Sequence, residues 1–218
     1  MQAFHPDSKF MAAFNLFADI VIVNMLLMVA SLPVITGGAA MRAANVVVGD
    51  MVQGKGSRYG LAFIRQLTVE WKNATIYWLG LLAAIALLAY QQFVVFQAGV
   101  TGVALIVIQG LALAGAFIIA GISVWFFALA SLQSSDAETK EIESDQALAQ
   151  TAGTAVQCTF RYLGYTVAAV AVLVAAVVVT VKLPVALSIP LVFFLIPAVA
   201  LFLVRLILAL PLGQELGE

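Results

Sequence analysis

Charged side chains are scarce in this 218-residue chain: Asp, Glu, Lys and Arg make up 10% of it, and hydrophobic residues make up 64%. A soluble domain has about 25% charged residues. Residues 73–135, 63 positions in a row, contain no Asp, Glu, Lys, Arg or His. As helix this stretch would be roughly 95 Å long, against a bilayer hydrocarbon core of about 30 Å. It therefore predicts two membrane-spanning helices joined by a turn.

Cysteine and histidine are nearly absent as well, with one residue of each, Cys158 and His5. A single cysteine excludes an internal disulfide and a multi-cysteine metal site. The net charge of −1 gives no global field that would attract nucleic acid. The sequence also lacks a phosphate-binding glycine loop, a nucleophile elbow and a paired-carboxylate site. We predict a protein that is not an enzyme and has no cofactor, no metal and no nucleic-acid partner.

The other uncharged runs have the length of single spans, and they do not alternate as the strands of a barrel would. We therefore predict one all-α, polytopic membrane domain over residues 1–218 with six transmembrane helices. Their approximate bounds are 16–32, 36–53, 74–96, 103–130, 163–181 and 188–210. Residues 36–53 are ambiguous because they contain Arg42, Asn45 and Asp50. An interfacial helix at that place would leave five spans.

Cations predict the orientation of the chain in the membrane. They concentrate in two longer polar segments, 54–72 and 131–160, and only Lys182 lies on the opposite side among the loops. The positive-inside rule places both segments in the cytoplasm, together with the C-terminus. Six spans would place the N-terminus there too, whereas five would leave it outside.

The first of these segments has the pattern of an amphipathic helix over residues 58–72. Four large apolar residues recur every four positions: Tyr59, Phe63, Leu67 and Trp71. Arg58, Arg65 and Lys72 recur every seven positions on the opposite side of the helix. We expect an interfacial helix with its rings toward the membrane and its cations toward lipid headgroups. The alternative is that the cations bind a partner protein. The second segment predicts one polar cytoplasmic helix after an acidic stretch at 136–145.

Polar residues at membrane depth form the candidate intramembrane site, and they are Asp19, Asn24, Arg42 and Asn45. An ionisable residue inside a membrane is costly and is a functional candidate for that reason. The alternative is structural. Asp19 would then lie at the interface, Arg42 would pair with an acid or extend to the surface, and Asn24 would bond across helices. Arg205 lies within reach of the surface near the end of the last span.

The end of the first span carries a distinctive run, S-L-P-V-I-T-G-G-A-A, over residues 31–40. Pro33 cannot continue a helix, and Gly37-Gly38 permit backbone angles closed to other residues, so we expect the first helix to stop, turn and restart. With Asp19 and Asn24, this run resembles the N-terminal signature of the YesL-like family, small bacterial membrane proteins with a domain of unknown function. The signature residues are Ser31, Leu32, Pro33, Thr36 and Gly38. The resemblance covers about the first 100 residues, and the acidic stretch departs from the family pattern.

The resemblance implies a multi-pass protein of the bacterial plasma membrane that is associated with carbohydrate uptake. Its expected partners are the permease subunits of an ABC-type sugar importer, besides membrane lipid. The resemblance implies no catalytic or substrate-binding residues. The alternative function is a small-solute transporter or channel that uses the polar residues at membrane depth. Small residues at four-residue spacing, Ala112, Ala116 and Ala120, predict close helix association, including a homo-oligomer.

Overall fold

The computed structural model describes residues 9–69, 71–136 and 144–217. This part of the chain consists of helices joined by turns and short loops, and it contains no strand. The all-α prediction is confirmed. In chain order the helices are α1 Lys9–Ala30, α2 Gly37–Val52, α3 Tyr59–Leu67, α4 Trp71–Gln97, α5 Gly102–Asp136, α6 Ser144–Arg161, α7 Leu163–Lys182, α8 Val185–Phe194 and α9 Ile196–Ala209. A 3₁₀ turn at Val34–Thr36 precedes α2. Most of the acidic stretch at 136–145 lies outside the described residues.

Four helices are long and apolar enough to cross a membrane: Ala13–Ala30 within α1, Trp71–Gln97, Gly102–Leu132 within α5, and Leu163–Lys182. α8 and α9 make up a fifth candidate, which is bent by 53°. These five regions coincide with five of the six predicted spans. The chain is therefore a polytopic helical membrane protein.

The predicted span at 36–53 corresponds to α2, and here the structure favours the alternative of five spans. α2 has 16 residues, fewer than the roughly 17–25 that a span needs. The first turn of α2 packs against Ala74 of α4. Near the other end of α2, Gly49 packs against the side chain of Arg205, and Arg205 donates a hydrogen bond to Ala128 of α5. α4 and α5 form a hairpin, so both ends of α2 lie at the same end of that hairpin. We call this end, residues 71–78 and 123–132, the hairpin base.

α2 is the centre of the molecule. It contacts α1, α3, α4, α5 and α9, and all of its residues are buried except Met41 and Asp50, which are partly exposed. The burial is possible because its first half consists largely of glycine and alanine. A Cβ on Gly38 would collide with the backbone carbonyl of Ala74 and with Cβ of Trp78. The predicted stop and restart of the helix is confirmed, but the glycines serve close packing: Gly37 has the helical φ of −54°.

The amphipathic helix is shorter than predicted and faces a different environment. α3 ends at Leu67, and Trp71 already belongs to α4. Phe63 is 1% exposed and packs with residues of α1 and α2, and Tyr59 and Leu67 lie beside it. Tyr59, Phe63 and Leu67 thus face the protein interior, whereas Trp71 on α4 is 48% exposed. A stripe of this kind indicates an apolar neighbour without showing whether that neighbour is lipid or protein.

The bend between α8 and α9 follows from Pro197. Proline has no N–H to donate to the carbonyl four residues earlier, which is that of Phe193. The last span is therefore broken at this proline, with a bend of 53°. Pro190 lies inside α8.

Replacing Gly38 by alanine tests the packing of α2. The added methyl group would meet a backbone carbonyl that cannot move aside, so we expect a loss of about 1–3 kcal/mol or more in stability. Thermal unfolding of the detergent-solubilised protein measures the effect. Gly80→Ala in α4 is the matched control, because nothing lies within 4 Å of a Cβ there. Equal unfolding temperatures for the two variants would contradict the packing that we describe.

Candidate functional site

Asn24 forms hydrogen bonds with the backbone groups at the break between α8 and α9. Its Nδ2 donates hydrogen bonds to the carbonyls of Val192 at 2.9 Å and Phe193 at 2.6 Å, and its Oδ1 accepts the N–H of Ala198 at 2.7 Å. These backbone groups lack normal helical partners around Pro197, and an unsatisfied group inside a membrane costs several kcal/mol. Asn24 is fully buried. It bonds across helices, as the structural alternative predicted.

Arg42 is also buried, at 1% exposure. Its Nη1 donates to the carbonyl of Val69 at 2.8 Å and to that of Gln66 at 3.2 Å. These carbonyls lie at the C-terminal end of α3, where a cation is favoured by the unsatisfied carbonyls of the helix. Arg42 therefore fixes α3 to α2, and it does not extend to the surface.

The remaining two residues of the predicted site lie elsewhere. The Nδ2 of Asn45 donates to Met41 within α2 at 2.9 Å. Asp19 is partly exposed on α1, near Tyr59 of α3. Burial raises the pKa of the Tyr59 phenol, and the carboxylates of Asp19 and Asp50 raise it further. Asn24, Arg42 and Asn45 thus bond to three different parts of the chain, and the structure does not bring the predicted set together as one site.

Asn45 lines an apolar cavity of about 300 Å³ between α2, α4, α5, α7 and α9. Ser123 is a second polar residue in its wall and accepts or donates a hydrogen bond with the Tyr77 hydroxyl at 3.1 Å. Ala116 and Ala120 face the same space, so the small residues of α5 border a cavity at this place. The predicted homo-oligomer stays a prediction.

A second, polar cavity of about 650 Å³ lies where α2, α5 and α9 end. We call it the Arg205 cavity. Its polar and charged lining consists of Asp50, Gln53, Lys55, Ser131, Arg205, Gln214 and Glu215. Sequence reasoning did not assemble this group, because its members come from three distant parts of the chain. The available signal was that Asp50 and Arg205 are both ionisable residues near the ends of apolar helices.

Arg205 is 1% exposed, so it does not extend to the surface as its position suggested. Its Nη1 donates to the Ala128 carbonyl at 3.3 Å, and its Nη2 donates to Gln214 Oε1 at 3.4 Å. Both distances exceed the usual 2.7–3.2 Å of an N–H···O hydrogen bond. The Nε of Arg205 has no acceptor in the described part of the chain. The guanidinium is therefore buried with weak hydrogen bonds.

The predicted cationic residues of the first polar segment are all exposed: Arg58, Arg65 and Lys72. Arg58 precedes α3 with a left-handed φ of 58°. Beside the two arginines, the outer side of α3 exposes Leu61 by 57% and Ile64 by 53%. The result is a mixed apolar and cationic surface on a helix that is fixed to the bundle.

Comparison with family models, with curated proteins and with solved structures finds no match to the chain. The resemblance to the YesL-like family therefore stays a prediction. The fold and the site together define a class of protein: an all-helical membrane protein with a polar cavity and a fixed cationic helix at its surface.

Asn24→Leu tests the role of Asn24 at the helix break. Two carbonyls and one N–H would lose their partner, so we expect stability to fall by about 1–3 kcal/mol. Gln109→Leu is the control, since Gln109 makes one side-chain bond to Gln92, at 2.8 Å, within the α4–α5 hairpin. Thermal unfolding in detergent should show the larger loss for Asn24→Leu. A smaller loss than that of the control would mean that Asn24 does not support the break.

Proposed function

We propose that this chain is a non-enzymatic accessory protein of an ABC-type carbohydrate importer in a bacterial plasma membrane. The resemblance to the YesL-like family is the source of this proposal. The observation that supports it best is the orientation of α3, whose rings face the protein and whose cations face outward. Its partner would be a permease subunit of the importer.

A helix that anchors a protein to lipid must leave its apolar stripe available to the membrane. The stripe of α3 is used inside the bundle, where Phe63 is buried against α1 and α2. Arg42 holds the other end of the helix through the carbonyls of Gln66 and Val69. α3 therefore presents its outer side in one fixed position. A preformed surface loses less conformational freedom on binding than a mobile one.

The composition of this surface suits a protein partner. Arg58 and Arg65 lie beside exposed Leu61 and Ile64. Interfaces between proteins combine arginine with large apolar residues, and an arginine can bind a carboxylate with two hydrogen bonds. The complementary surface on a permease subunit would carry carboxylates around an apolar patch.

Transport of a small solute is the second candidate function. The four polar residues predicted for it do not form one path, because their partners differ. The Arg205 cavity is the observation that favours this candidate, because it offers polar groups at the end of membrane helices. Solute flux into proteoliposomes that is lost in Arg205→Gln and kept in Asp19→Asn would support it.

Copurification in mild detergent tests the accessory role. The tagged protein should recover importer permease subunits from native membranes, and the double variant Arg58→Glu/Arg65→Glu should recover several-fold less because its charges would repel an acidic partner. Lys182→Glu, a charge reversal at the far end of α7, is the matched control and should recover as much as the unchanged protein. Permease subunits missing from the unchanged sample, or equal recovery by the double variant, would count against the proposal.

A further inference from the structure

We propose that the Arg205 cavity binds a compact oxyanion, a carboxylate or phosphate group, on the guanidinium of Arg205. The inference does not depend on the accessory role, since it rests on the cavity alone. It assigns a ligand class to a place that the sequence signature does not include.

The first step concerns the free-energy cost of burying the positive charge of Arg205. A buried cation is stable only when an anion or good hydrogen bonds compensate for the lost hydration. Arg205 forms no ion pair with a carboxylate in the part of the chain that the structure describes, and its two hydrogen bonds, at 3.3 and 3.4 Å, go to neutral oxygens. Its Nε has no acceptor there. The guanidinium therefore has no direct anionic partner, and Asp50 in the cavity lining acts on it only over a longer distance.

The second step concerns space. The guanidinium is in the wall of a cavity of about 650 Å³, which is much larger than one carboxylate or phosphate group. Gly49 makes room for it, because a Cβ at that position would collide with Nη2 of Arg205. The weak Nη2 bond ends on Gln214, a side chain that follows the last helix, α9. An incoming oxyanion can replace that amide and accept two parallel hydrogen bonds from the guanidinium.

The third step concerns the size and charge of the ligand. The ionisable residues of the lining are Arg205 and Lys55 with positive charge, and Asp50 and Glu215 with negative charge. These four charges sum to zero, so the attraction for an anion comes from the guanidinium itself and not from the lining as a whole. The two carboxylates repel a polyphosphate more strongly than a single oxyanion, which favours the smaller ligand. Gln53 and Ser131 can bond to a polar remainder of the ligand.

Two sources could supply such a group, a soluble phosphorylated or carboxylated compound and the headgroup of an anionic lipid. Two arms separate them. In neutral detergent, inorganic phosphate and acetate are titrated at constant ionic strength, which is set with chloride, while thermal unfolding is followed. In nanodiscs, phosphatidylglycerol is compared with phosphatidylcholine. A ligand that binds the folded state raises the unfolding temperature with its concentration and saturates. We expect saturable stabilisation by phosphate, by phosphatidylglycerol, or by both.

Three variants test whether Arg205 is responsible. Arg205→Gln should abolish the stabilisation, and Gly49→Ala, which displaces the guanidinium but keeps its charge, should weaken binding at least tenfold. Gln214→Glu should place a carboxylate beside Nη2, raise the unfolding temperature without any ligand, and remove the response to phosphate. The last variant keeps the test decisive if Arg205→Gln fails to fold. The controls are Gly153→Ala, where nothing lies within 4 Å of a Cβ, and Arg161→Gln, at an exposed position of α6.

The proposal is wrong if neither oxyanion nor phosphatidylglycerol gives a saturable effect on the unchanged protein. It is equally wrong if the effect persists undiminished in Gly49→Ala and Gln214→Glu. Failure of these tests would leave the α3 surface and its copurification experiment unaffected, because the two places share no residue.

Discussion

The packing of α2 against its neighbours, close enough for backbones to touch, is the constraint on which the other features depend. Gly38 lies so near the Ala74 carbonyl that no side chain fits between them. This contact fixes α2 at the hairpin base, and α2 then positions two arginines. It carries Arg42, which holds α3, and its Gly49 leaves the room that Arg205 occupies. The outer surface of α3 and the Arg205 cavity are both consequences of one small-residue helix.

Asn24 and Pro197 show a second dependence, between residues far apart in the sequence. Proline breaks the last span, and the break frees backbone groups that lipid cannot satisfy. A single amide on α1 satisfies three of them. The bend in turn sets the direction of α9, which ends at the hairpin base with Arg205 near its last turn. The break at Pro197 and the hydrogen bonds of Asn24 that stabilise it therefore contribute to the geometry of the Arg205 cavity.

The sequence predicted the long helices well, because stretches without charge have few stable arrangements other than membrane spans. It left α2 open between a span and an interfacial helix, since a short apolar segment with Arg42 and Asp50 can span, lie at an interface or be buried. Its run of glycine and alanine was the signal for burial. The stripe of α3 was assigned to lipid, because periodicity reports an apolar neighbour and not its identity. The Arg205 cavity was not predictable, because it requires the ends of α2, α5 and α9 to meet.

The hydrogen-bond acceptors of the two buried arginines differ. The difference explains why Arg42 has a structural role and why Arg205 is the residue that we propose binds a ligand. Each is 1% exposed, so each has lost its hydration. Arg42 makes a 2.8 Å bond to a carbonyl at the end of a helix, where the backbone itself supplies negative partial charge. Arg205 makes two longer bonds, one of them to a side chain that can move away, and it lies in the wall of a polar cavity. Burial alone does not distinguish these roles. The quality of the acceptors around each guanidinium does: the two bonds of Arg205 are long enough that an external oxyanion would be a better partner than either protein oxygen.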